Sequence, residues 1–140
     1  MSDPRLVFDT NVVVSAVLFL ATVPARALEL GQAVGRLLVS DDTVEELRRV
    51  LMRTKFDRYV RSDERARFLG RVLDDAMLVE IIESIDDCRD PNENKFLELA
   101  VSGDATHLVT GDDDLLVLHP FRGVAIVTPQ AFLDEFSPPR

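Results

Sequence analysis

The sequence predicts an α/β fold, a parallel sheet of about five strands covered by helices on both faces. Three observations predict it. Short apolar runs recur along the chain, segments of helical periodicity separate them, and cap residues mark several helix starts. Right-handed crossovers turn that order into a doubly wound sheet.

Residues 5–8 form the first apolar run. A helical region follows over residues 12–30, with Pro24 marking a break or a new helix start. Residues 36–39 are the second strand. Ser40, Asp41 and Asp42 then offer N-caps, Asp42 and Glu45 have capping-box spacing, and the helix runs to about residue 53. Ser62 starts a helix that ends near residue 75, and residues 77–82 are the third strand. Pro91 or Asn92 opens a helix that ends near Gly103. Residues 107–110 and 124–127 are the fourth and fifth strands, and Thr128-Pro129 caps a last helix to residue 135. Residues 1–136 read as one domain and residues 137–140 as a loose tail.

A chain of 140 residues, 46% hydrophobic and 29% charged, is able to build a core without disulfides. Cys88 is its single cysteine and reads as an ordinary unreactive thiol. The apolar stretch 12–23 is well short of the ~20 residues that span a bilayer. The N-terminal residues lack the pattern of a signal peptide. The expectation is a soluble, cytoplasmic protein with no membrane partner.

The net charge of −9 is unevenly spread. Residues 1–70 carry 11 Lys+Arg and 10 Asp+Glu, whereas residues 71–140 carry 5 and 15. Arg48, Arg49, Arg53, Lys55, Arg58, Arg61, Arg65 and Arg67 fall in one stretch, a candidate surface for tracking phosphates. The competing reading is a solvated helical face paired with Asp57, Asp63 and Glu64.

In doubly wound sheets the site lies at the carboxyl ends of the strands. Asp9 directly follows the first strand, and Asp112 lies just past the fourth. On the helix after the second strand, helical phase puts Glu46 at the border of the apolar stripe, with Glu45 on the outer face where it pairs with Arg49. Glu93 heads the apolar face made by Phe96, Leu97 and Ala100, whereas Glu98 points to solvent. Glu93 also has capping-box spacing from Asp90. Four carboxylates from separate segments are thus expected at one edge. Two of them ~4 Å apart repel by about 4 kcal/mol at an effective dielectric of 20, so such a cluster takes up protons or a cation. Oxygen ligands without His or Cys favour Mg²⁺ or Mn²⁺ over zinc. Asp114 is a further candidate ligand, and Asp113 reads as solvated. His107 and His119 read as structural. Such an ion neutralises phosphoryl charge and activates water, which points to phosphodiester hydrolysis.

At these residues the chain resembles the PIN-domain ribonucleases, in particular the group that acts as toxins of toxin–antitoxin pairs. The motifs that carry the resemblance are VFDTNV at 7–12, SDDTVEELRRVL at 40–51 followed by RTKF at 53–56, DPNENKFLELA at 90–100, and LVTGDDDL at 108–115. The resemblance runs from about residue 5 to residue 136. The resemblance implies a compact, Rossmann-like α/β/α sandwich, Mg²⁺ or Mn²⁺ dependence, RNA as substrate, a cognate antitoxin and frequent homodimerisation. It makes Asp9, Glu46, Glu93 and Asp112 the catalytic and metal-site acids, with Asp114 as an added ligand. Asn11 and Thr110 would position acids or water, and Asp90 would be auxiliary; the basic stretch read above from charge would bring Arg48, Arg49, Arg53 and Lys55 to RNA. One position departs: Glu93 stands where the family usually has Asp, and the extra methylene moves the carboxylate by ~1.5 Å. That departure keeps open a PIN-like module that binds RNA or protein without cutting. A dehalogenase-like phosphatase is the rival enzyme class, but it needs a second acid two residues after Asp9, where this chain has Asn11.

Overall fold

A computed structural model describes residues 3–137 of the chain. The expected tail beyond Ser137 lies outside the described residues. Five strands form one parallel sheet in the order β3-β2-β1-β4-β5, with β1 at Arg5–Phe8, β2 at Arg36–Val39, β3 at Met77–Leu78, β4 at His107–Val109 and β5 at Ala125–Val127. The helices are α1 (Thr10–Leu18), α2 (Val23–Val34), α3 (Asp41–Leu51), α4 (Ser62–Asp75), α5 (Asn94–Ser102), α6 (Asp113–Leu116) and α7 (Pro129–Phe136). The architecture is the expected three-layer α/β/α sandwich.

Alternation along each strand supplies the two faces of the sheet. Leu6, Phe8, Leu37 and Val109 face one core, filled by residues of α1, α2, α3, α4 and α7. Val7, Leu38, Leu108 and Ile126 face the other, filled by Phe96, Leu97 and Ala100 of α5 and Leu115 of α6. Each large apolar side chain fully buried in this way contributes about 1.5–3 kcal/mol.

The strand order places a topological switch at β1. The chain moves outward through β2 and β3, then returns to lay β4 on the other side of β1. Leu6, Val7 and Phe8 pair in register with His107, Leu108 and Val109. The carboxyl ends of β1 and β4 therefore finish side by side, with Asp9 N–H donating to Val109 O at 3.1 Å.

Several local expectations need correction. The first helix begins at Thr10 rather than residue 12, because Asp9 is itself its N-cap and accepts from Val12 N–H at 2.9 Å. The capping box of α3 joins Ser40 and Thr43, not Asp42 and Glu45. The third strand stops at Leu78, with one further bond from Val79 N–H to Val39 O. Beyond it the backbone leaves the sheet for side chains of α5: Ile82 N–H donates to Ser102 Oγ at 3.1 Å and Ile85 N–H to Glu98 Oε2 at 3.0 Å. Glu98 thus holds a loop instead of pointing to solvent. The short helix α6 and the 3₁₀ turn Thr54–Phe56 were not expected. Gly35 permits the tight entry into β2, since a Cβ there would meet Pro4 O at 2.4 Å.

Among the described residues no single helix is long and apolar enough to cross a membrane; the apolar pair α1 and α2 is bent by 107°.

Candidate active site

The acids nominated by position gather at the carboxyl end of the sheet. Asp9 ends β1 and is almost completely buried, at 3% exposure. Both its oxygens accept: Oδ1 from Val12 N–H, and Oδ2 from the hydroxyl of the fully buried Thr110. Thr110 also accepts from Asp112 N–H at 3.0 Å, so one hydroxyl links the acids that follow β1 and β4. Asp112 caps α6, with its Oδ1 accepting from Asp114 N–H at 2.8 Å. A short side chain at an N-cap is held against the backbone in this way.

Helical phase separates the two acids on α3 as expected, but the expected Glu45–Arg49 pair is not formed among the described residues. Glu45 is exposed, whereas Glu46 is half-buried. Thr10 donates its hydroxyl to Glu46 Oε2, and the Lys95 ammonium lies 2.9 Å from Oε1. Glu93 closes the 3₁₀ turn Pro91–Glu93 that leads into α5, and it is half-buried. Asp90 caps that turn, accepting from Asn92 N–H at 3.0 Å; Glu93 makes no reciprocal capping bond.

The electrostatics join these groups. Burial pushes the Asp9 carboxyl above its ordinary value, the bonds from Thr110 and Val12 pull it down, and the charges of Asp112 and Glu46 push it up again. Glu93 is pushed up to about 7, first by burial, then by the charges of Asp112, Asp9, Glu46 and Asp90. These are the shifts expected of carboxylates that share a partly desolvated edge. Among the described residues, however, no three Asp, Glu, His or Cys side chains stand in an arrangement ready to hold one metal ion. The donor set fits a hard divalent cation in its chemistry: carboxylates only, with Asp9 and Glu93 destabilised as anions.

The other nominated residues divide. Thr110 reaches Asp9, but Asn11 is exposed and makes no side-chain hydrogen bond among those described. Asp113 is exposed and Asp114 half-buried. His107 packs against Phe132 and Phe136 and bonds to Thr106 and Glu135, and His119 accepts from Ile126 N–H, so both are structural as expected. The buried Cys88 thiol is pushed up, first by burial.

Of the basic stretch, Arg48, Arg49, Arg53, Lys55 and Arg58 are exposed, and none forms a salt bridge among the described residues. Arg61 and Arg67 both reach Asp63, at 3.3 and 3.6 Å. Arg65 leaves the expected surface altogether. It is fully buried, donates to Leu51 O and Arg53 O at 3.2 Å each, and pairs with Asp57.

Sequence reasoning missed Thr10 and Lys95. Thr10 adjoins Asp9, and a hydroxyl at the first helical position beside a metal-type acid was a usable signal. Lys95 is the single base in the stretch 90–100, which is a weaker one. Away from the acids, Val17, Leu18, Leu20, Tyr59 and Phe68 line a groove of about 550 Å³. Leu20 is exposed within it, and the exposed Phe19 meets Tyr59 of its lining edge-on with ring centroids 5.3 Å apart.

A family model described as PIN domain matches residues 5–114. The chain is similar to the uncharacterized protein MJ1680 of Methanocaldococcus jannaschii, at 25% identity over 145 residues that cover 95% of this chain and 92% of the relative. Among solved structures it resembles a chain of VapBC2 from Rickettsia felis, bound to a DNA fragment from their promoter. The TM-score is 0.59 at 13% identity, over 89% of this chain and 98% of that one. At that identity the likeness speaks to the fold.

Proposed function

The chain belongs to the PIN-domain family, and from that premise we propose that it is a divalent-metal-dependent endoribonuclease, the toxin of a toxin–antitoxin pair acting in the cytoplasm. The observation that carries the proposal is the meeting of Asp9, Thr110 and Asp112 at the β1–β4 switch, with Glu46 and Glu93 close enough to act on Asp9 electrostatically or be acted on by it.

Asp9, Glu46, Glu93 and Asp112 would hold Mg²⁺ or Mn²⁺, with Asp114 and Asp90 at the margin. Such an ion supplies charge neutralisation at the phosphoryl group and a more acidic water. The chain's own part is to fix the acids. Thr110 aims Asp9 and steadies the backbone of Asp112, and Thr10 aims Glu46. Asn11 is exposed, and its proposed part is to position acids or water. Arg48, Arg49, Arg53 and Lys55 are exposed cations that form no salt bridge among the described residues, which suits them to an RNA backbone. The products would carry a 5′ phosphate and a 3′ hydroxyl.

An antitoxin is the proposed protein partner and a homodimer the proposed assembly. The exposed apolar side chains of Phe19, Leu20 and Tyr59 at the groove support a protein-binding surface. The solved VapBC2 structure supports the antitoxin partner by likeness of fold.

One observation favours a second reading, a PIN-like module that binds without cutting: among the described residues no three of the acids stand in an arrangement ready to hold one metal ion. Incubation of the purified protein with a mixed RNA pool in Mg²⁺ or Mn²⁺, with and without EDTA, separates the two. Cleavage that EDTA abolishes is expected. Binding without cleavage at any divalent concentration supports the second reading and overturns the first.

A further inference from the structure

Lys95 is a base set among acids. It stands on α5 two residues beyond Glu93, and its Nζ lies 2.9 Å from Glu46 Oε1 on α3. Both side chains are largely withdrawn from water, at 22% and 15% exposure. Thr10 donates to the other oxygen, so Glu46 has a donor on each. Among the described residues no other Lys or Arg pairs with Asp9, Glu46, Glu93 or Asp112. Fixing a lysine costs side-chain entropy, and the negative field of the surrounding acids is what offsets it.

We propose that the Lys95 ammonium is the resident counter-charge of Glu46, and that Lys95 and a divalent cation are alternative partners of this carboxylate. A compact ammonium and a hard metal ion seek the same oxygen lone pairs. An Oε1 that accepts from Lys95 is withheld from an ion, and two cations side by side repel. Lys95 therefore offsets part of the negative charge of the metal-free site, and it raises the ion concentration at which Glu46 changes partner. It acts through Glu46 and is a positioning residue.

The inference rests on the metal-dependent reading above, and the experiment separates their failures. Calorimetric titration with Mn²⁺ is performed on RNA-free protein as wild type, Lys95→Met, Glu46→Gln and the double variant, with Lys95→Gln as a second charge-removing variant and folding checked by circular dichroism. Lys95→Met is expected to bind Mn²⁺ about tenfold more tightly than wild type, with a clearly smaller gain in the Glu46→Gln background. Unchanged or weaker binding by the lysine variants overturns the inference alone, as does an equal gain in both backgrounds, which marks a diffuse charge effect. Failure of the wild type to bind Mn²⁺ overturns the metal-dependent reading and this inference with it.

Discussion

Thr110 hydrogen-bonds Asp9 across the boundary between β4 and β1, and the same hydroxyl oxygen accepts the backbone N–H of Asp112 at 3.0 Å. A single buried side chain thus sets two acids that are distant in sequence. Thr110→Val keeps the shape but removes both bonds. It is expected to cost about 1–3 kcal/mol of stability, since a buried carboxylate oxygen and an N–H lose their partners. Cleavage should fall by about tenfold or more, with Thr110→Ser restoring most of both. Thermal melts and cleavage rates of the two variants check this. A Thr110→Val protein as stable and active as wild type would show that the link has no consequence.

Asp9→Asn and Asp112→Asn are expected to keep the fold and lose cleavage by more than about 100-fold. Asparagine still caps a helix, so the start of α1 is preserved at position 9. It also removes a buried charge whose anionic form the site disfavours. Asp9→Asn should therefore melt no lower than wild type in EDTA. Retained cleavage in purified Asp9→Asn protein would sink the proposed role of this carboxylate.

Glu93 gives the site a pH signature. Its carboxyl is raised from 4.5 to about 7 in the folded chain by burial and by Asp112, Asp9, Glu46 and Asp90. Folding therefore takes up a proton between those values. The Glu93 contribution is fully favourable below about 4.5 and is lost as pH rises through 7. Denaturant melts of metal-free protein from pH 5 to 8 should show this decline, and Glu93→Gln should flatten it. Saturating Mg²⁺ should also flatten it by compensating the charge. A slope identical in wild type and Glu93→Gln would assign the effect to another group.

Much of this arrangement was legible in the sequence because it follows from periodicity and strand ends. Asp9 and Asp112 were located by the rule that sites lie past strand carboxyl ends, and Glu46 was separated from Glu45 by helical phase. What escaped were interactions that depend on long-range packing. The pairing of Lys95 with Glu46 bridges α5 and α3, which cover opposite faces of the sheet. The third strand was overestimated because residues 79–82 are apolar enough for a strand, but Ser102 and Glu98 compete for the backbone bonds that follow. Arg65 was misread as surface for a similar reason: nothing local to residues 61–67 announces that its guanidinium ends against the carbonyls beyond α3.

Arg65 makes a prediction of its own. Its buried guanidinium binds Leu51 O and Arg53 O, at and just beyond the carboxyl end of α3, and pairs with Asp57. Arg65→Met removes the charge but leaves two carbonyls without a donor. The expected loss is about 3–5 kcal/mol. Because α3 also carries Glu46, cleavage should fall with stability as the temperature approaches the lowered melting point. A denaturation midpoint within error of wild type would show that the carbonyls find other donors.

The remaining basic residues predict a salt dependence instead. Arg48, Arg49, Arg53 and Lys55 are exposed and carry no ion pair among the described residues, so their charge is available to phosphates. Arg49 lies one helical turn beyond Glu46, which joins the strip to the acids. Each phosphate contact on single-stranded RNA contributes ~0.7 to the slope of log affinity against log salt. The Arg53→Ala, Lys55→Ala double variant should lower that slope by about 1.4. Stability should change by less than about 0.5 kcal/mol, as for surface positions. RNA affinity is best measured on the Asp9→Asn protein, where cleavage does not interfere, across a range of ionic strength. If affinity falls with the slope preserved, the residues act by shaping the surface. If neither changes, the backbone of the RNA runs elsewhere and the strip is only a solvated face.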